Sequence, residues 1–128
     1  MTTDRSASGL DGTWEMIRAE LGGENSPDLL ALKVELEVSN RAYTVRFAGQ
    51  VADRGTVTLG PEEGKLTLVG VEGPNLGRTI PCIYQLVGDR LRVCYGLDGT
   101  PPVKFETVAG AADYLAIYRR TVMEGAKR

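Results

Sequence analysis

No histidine occurs among the 128 residues. That absence removes imidazole general bases, Ser-His and Cys-His nucleophile pairs, histidine-held haem and most catalytic zinc sites. Cysteine is scarce: Cys82 and Cys94 are too few to staple a small scaffold, and they fit reduced thiols in a cytoplasmic protein. A basic excess is missing too, since 15 Lys and Arg face 17 Asp and Glu for a net charge of −2. No nucleic-acid partner is therefore expected. The opening MTTDRSASGL lacks the apolar core of a signal peptide. No apolar run approaches the roughly 18–20 residues that span a bilayer, so no membrane partner is expected. Gly-rich phosphate loops, Gly-x-Ser-x-Gly elbows, Cys-x-x-Cys pairs and Ca²⁺-loop spacing are all absent, so neither cofactor nor metal is expected.

What the chain does have is alternation punctuated by glycine, 16 residues of it. Leu32, Val34, Leu36 and Val38 alternate with Lys33, Glu35 and Glu37, the pattern of a half-buried strand. The same reading predicts eight strands, near 13–21, 32–38, 42–48, 51–59, 65–71, 79–87, 90–96 and 113–120. Ser26-Pro27 suits a helix start, which places one short helical turn near 27–31. Short turns between successive strands favour an antiparallel meander. Eight strands then close into an all-β, up-and-down barrel able to hold side chains or one small ligand; a two-sheet sandwich is the alternative. One domain over 10–121 is expected, with disordered tails at 1–9 and 122–128.

Two ends of the chain sharpen this reading. Gly12-Thr13-Trp14 opens the first strand, and Arg119 stands in the last. The pair resembles the Gly-x-Trp opening and closing basic residue of the lipocalin and fatty-acid-binding-protein superfamily. The resemblance implies that Trp14 plugs the barrel floor and that Arg119 stacks across it, with Gly12 beside them. A cation over an indole is worth roughly 0.5–2 kcal/mol. Further along, Asp53-Arg54-Gly55-Thr56, Glu72-Gly73-Pro74-Asn75, Ile83-Tyr84-Gln85-Leu86 and Gly88-Asp89-Arg90-Leu91-Arg92-Val93-Cys94 follow in order. Over roughly residues 10–120 these segments resemble a lipocalin-like bacterial domain of the planctomycete type, a family with no agreed activity. The Arg-x-Tyr carboxylate anchor of fatty-acid binders is not matched, because the last strand here reads Tyr118-Arg119-Arg120.

With Gly88-Asp89 at a hairpin tip, Leu86 pairs with Leu91, Tyr84 with Val93 and Cys82 with Tyr95, all pointing inward. Cys82 and Cys94 then lie on opposite faces and should not bridge. Tyr43, Tyr84 and Tyr95 stand out from the aliphatic interior, because a buried phenol needs a hydrogen-bond partner. Continued alternation sends Arg18 and Glu20 into the same interior, with Glu24 and Asp28 at the mouth. A bulge after Met16 would instead put Arg18 in water. The candidate ligand-binding set is therefore Arg18, Glu20, Tyr43, Phe47, Tyr84 and Tyr95. Asp53-Arg54-Gly55 is either a polar site or the mark of a strand bulge.

Three functions fit these residues. The first is binding of a small, largely apolar or amphipathic molecule inside the barrel, with Arg18 meeting an acidic or carbonyl group. The second is a cofactor-free enzyme, a cyclase or isomerase of a natural-product intermediate, using the same cavity. The third is a filled barrel serving as a protein-interaction module. If Tyr114, Ala116, Tyr118 and Arg120 face outward beside Ile17, Cys94 and Ile83, they form an apolar face suited to a two-fold homodimer.

Overall fold

Alternating apolar residues carry the chain into strands β1 (Gly12–Leu21), β2 (Glu24–Asn25), β3 (Val34–Ser39), β4 (Ala42–Phe47), β5 (Gln50–Leu59), β6 (Lys65–Glu72), β7 (Thr79–Val87), β8 (Arg90–Gly96) and β9 (Asp113–Arg120). One helix, α1 (Pro27–Ala31), lies between β2 and β3. The computed structural model describes residues 9–60, 62–110 and 112–121. The expected tails therefore fall outside the described residues, except for Gly9. Among the described residues, no helix is long and apolar enough to cross a membrane.

All neighbouring strands are antiparallel, and β9 returns to pair with β1, closing eight long strands into a barrel. The two-residue β2 is an addition that hooks onto the end of β1. Turn chemistry sets the register. Asn40 and Arg41 both take positive φ between β3 and β4, as do Ala48 and Gly49 between β4 and β5. That is the twist two-residue hairpin loops require. The β7–β8 hairpin has the expected register, with Leu86 opposite Leu91, Tyr84 opposite Val93 and Cys82 opposite Tyr95. Pro27 begins α1 as anticipated, but the Ser26 side chain makes no capping bond; its carbonyl accepts from the Leu29 amide instead.

Trp14 is fully buried at one end, and its Nε1 donates to the Leu10 carbonyl at 2.9 Å. The cation above it is Arg120, whose guanidinium carbon lies 4.2 Å from the indole centroid. Arg120 also donates to the carbonyls of Asp11 and Gly9. Gly12 keeps its place in the closure, since a Cβ there would stand 2.7 Å from the Arg120 guanidinium. Arg119 does not belong to it: its side chain points outward to an exposed ion pair with Glu15 at 3.2 Å.

This is a reversal of the expected face of β9. Directly opposed residues share a face, and Tyr114, Ala116 and Tyr118 sit opposite Tyr95, Val93 and Leu91. All three therefore point inward, while Leu115, Ile117 and Arg119 point outward. The apolar outer face that suggested a homodimer accordingly loses Tyr114, Ala116, Tyr118 and Arg120. Cys94 is outward but covered, because the segment 97–110 passes over β8, placing Phe105 under Arg92 and the Glu106 carbonyl 3.9 Å from Cys94 Sγ.

Candidate functional site

The barrel interior divides along its axis. In the half containing Trp14, a void of about 30 Å³ lies among mostly aliphatic side chains. In the other half, a cavity of about 320 Å³ opens to solvent, with mostly apolar walls. Leu36, Tyr43, Leu68 and Tyr95 border both spaces, so these four side chains form the partition.

The opening follows from how β1 is shared. It pairs with β3 only from Gly12 to Glu15, then continues along β9 and β2. Past Glu15 the two strands part, and α1 supplies Leu29 to the cavity wall there. Leu21 from β1 and Phe47 from β4 stand at the rim, and Phe47 is 40% exposed.

A β-bulge between Met16 and Arg18 decides the fate of the expected anchor. Met16 faces the cavity, but after the extra residue Arg18 pairs with the outward Ile117 and Glu20 with the outward Leu115. Arg18 and Glu20 bond to each other outside, at 3.1 Å. Neither is a cavity residue; Glu24 and Asp28 are exposed and do not line it either. Tyr84 points inward but belongs to the packed half, where burial and then the Glu63 charge raise its phenol pKa. Of the six expected ligand-binding residues, the cavity gathers Tyr43, Phe47 and Tyr95.

Other side chains complete its polar character. On the β8–β9 wall, the Tyr95 and Tyr118 hydroxyls meet at 2.6 Å, and the Tyr114 ring stacks on Tyr95 at 5.1 Å. Burial pushes the Tyr95 and Tyr118 phenols well above their ordinary range. One phenol donates to the other, which leaves the second hydroxyl hydrogen for a different acceptor. Tyr118 and Tyr114 escaped the sequence reading because β9 is apolar on both faces.

Asp53 lies on the opposite wall, 7% exposed, directly across from Val45. Its Oδ2 accepts from the Asn75 side-chain amide at 2.7 Å and from the Tyr43 hydroxyl at a longer 3.4 Å. Oδ1 is buried with no hydrogen-bond partner. Burial, followed by the Asp53 charge, pushes the Tyr43 phenol up to about 12. Asn75 is held from outside by Arg78, which donates to its Oδ1 at 3.0 Å and to the Leu97 carbonyl. The sequence did carry a signal for Asp53, which shares the alternation phase of the inward Gly55, Val57 and Leu59. A ladder irregularity between Arg54 and Gly55, in which Val71 of β6 is the extra residue, sits beside the buried Asp53 carboxylate.

Among the described residues, no cluster of three or more Cys, Asp or Glu side chains is arranged to hold a metal ion. Cys82 and Cys94 are free and buried, as their opposite faces required. No model of a known protein family matches the chain, and no curated protein is similar to it.

Proposed function

We propose that the barrel binds a small, largely apolar molecule in its open half, with a carbonyl or hydroxyl oxygen received by the Tyr95–Tyr118 pair. The carrying observation is the cavity itself, about 320 Å³ with apolar walls, beside a packed half that supplies stability without it. A volume of that size falls at the lower end of small-molecule sites. The resemblance of Gly12-Thr13-Trp14 and the later segments to a lipocalin-like domain points the same way. An acidic ligand loses its expected support, because Arg18 lies in water and, among the described residues, no arginine or lysine lines the cavity. A wholly filled interaction module fits only the Trp14 half.

A cofactor-free enzyme remains the second reading, favoured by the same phenol pair, which is placed to polarise a carbonyl. Titration with prodan, a neutral naphthalene ketone whose emission shifts in apolar surroundings, tests the binding reading. Saturable one-to-one binding is expected, weakened in Tyr118→Phe and lost in Val45→Trp, which fills the cavity. Absence of saturable binding would overturn it. Native mass spectrometry of protein from its host would then identify the occupant, and turnover of that occupant separates enzyme from carrier.

A further inference from the structure

We infer that the ligand of this cavity carries a protonated amine, received by Asp53 on the wall opposite the Tyr95–Tyr118 pair. This rests on the binding reading above and adds the charge of the ligand. Burying a carboxylate is costly unless it is paired and hydrogen-bonded, and a carboxylate offers about four acceptor positions. Asp53 uses two of them, both on Oδ2, and its buried Oδ1 uses none. Among the described residues it forms no ion pair: its neighbour Arg54 turns outward to Glu72 at 3.3 Å.

The Arg78 guanidinium is kept one side chain away. Arg78 grips the Asn75 carbonyl oxygen, which orients the Asn75 amide hydrogens toward Asp53. That arrangement holds the carboxylate in place without neutralising it by contact. Gly73 closes behind it, since a Cβ there would reach within 3.0 Å of Oδ1 and 2.5 Å of the Ala52 carbonyl. A fixed, buried anion in an otherwise apolar cavity selects for positive charge, because its electrostatic effect is large where water is excluded. The aromatic rings of Tyr43 and Tyr95 add faces that favour a cation. In the closed circuit of strands, β4–β5 lies across the barrel from β8–β9. The matching molecule is therefore an apolar body with an amine at one end and an oxygen acceptor at the other.

Displacement of prodan by three probes of similar shape tests this: phenethylamine, its neutral isostere propylbenzene, and the anion hydrocinnamate. Phenethylamine is expected to bind about tenfold or more tightly than propylbenzene, with hydrocinnamate weakest. In Asp53→Asn the ratio of phenethylamine to propylbenzene affinity should fall to about twofold or less. If that variant fails to fold, the wild-type ratio still decides, together with NMR of the Asn75 side-chain amide. Those resonances should move with phenethylamine and stay in place with propylbenzene. Prodan binding without an amine preference would overturn the charge inference alone. No binding of any probe would overturn both it and the reading beneath it.

Discussion

Arg120 covers Trp14 at 4.2 Å while its neighbour Arg119 turns to solvent, so adjacent arginines in one strand have unrelated energetic roles. Arg120 combines a cation–π contact with two carbonyl hydrogen bonds and ties the last strand to the residues before the first. Arg120→Ala should therefore cost about 2 kcal/mol in urea unfolding. Arg119→Ala breaks only an exposed pair and should cost under about 1 kcal/mol. Trp14→Ala, which empties the floor, should cost about 3–5 kcal/mol. Equal effects of the two arginines would contradict the assigned closure.

Gly55 lies opposite Tyr43 and makes room for its ring. An added Cβ would stand 2.1 Å from the Val69 carbonyl and 2.5 Å from Tyr43 Cε2. Gly55→Ala should destabilise by about 2–3 kcal/mol through overpacking. Combined with Tyr43→Leu, part of that cost should disappear, because one of the two clashes is removed. The backbone clash with Val69 keeps the rescue incomplete.

In the β4–β5 hairpin, Ala48 holds φ at 52°. A side chain with Cβ resists that left-handed conformation by roughly 1–2 kcal/mol. Ala48→Gly should therefore raise the denaturation midpoint, by a net gain of about 0.5–1 kcal/mol.

All five tyrosines have raised phenol pKa values, and burial is the largest cause at each. Tyr43 and Tyr114 are each pushed from 10.0 up to about 12. Between those values the unfolded chain has lost phenol protons that the folded chain keeps. Stability is thus fully present below about pH 10 and falls as pH rises toward about 12. An ultraviolet titration should show the Tyr43 and Tyr114 tyrosinate absorbance rising toward about 12, together with alkaline unfolding.

Both thiols should resist a thiol-reactive disulfide reagent until the protein unfolds. Each is buried, and burial raises both, Cys94 to about 11 and Cys82 further. Nucleophilic attack requires the thiolate, which is scarce at neutral pH under these conditions. Rapid labelling of Cys94 in the native state would mean that the segment over β8 lifts readily.

The strands were legible because turn residues and alternation agreed. The β7–β8 register follows from Gly88-Asp89 alone, and the last three strands have the expected bounds. The facing of β9 was not legible. Tyr114, Ala116 and Tyr118 compete with Leu115 and Ile117, so the period of two carries no sign when a covering segment makes the outer face apolar as well. Leu115 is 5% exposed on that outer face, opposite Cys94. The same limit hid half of the site, because Tyr118 and Tyr114 come with β9. Arg18 depended on a one-residue bulge, which alternation does not encode. Asp53 was in phase with its inward neighbours, yet its partner Asn75 comes from a distant loop and only the folded chain joins them.

The partition made by Leu36, Tyr43, Leu68 and Tyr95 has an evolutionary consequence. Trp14 and its aliphatic neighbours pack on one side of it, and on the binding reading proposed above ligand preference is written on the other, which holds Leu29, Leu21 and Phe47. Exchanges among rim residues reshape the cavity without opening a hole in the packed half, so each should cost little stability. On that reading, a lineage built on this barrel is free to drift from one ligand to another by single substitutions, its stability margin largely unspent along the way.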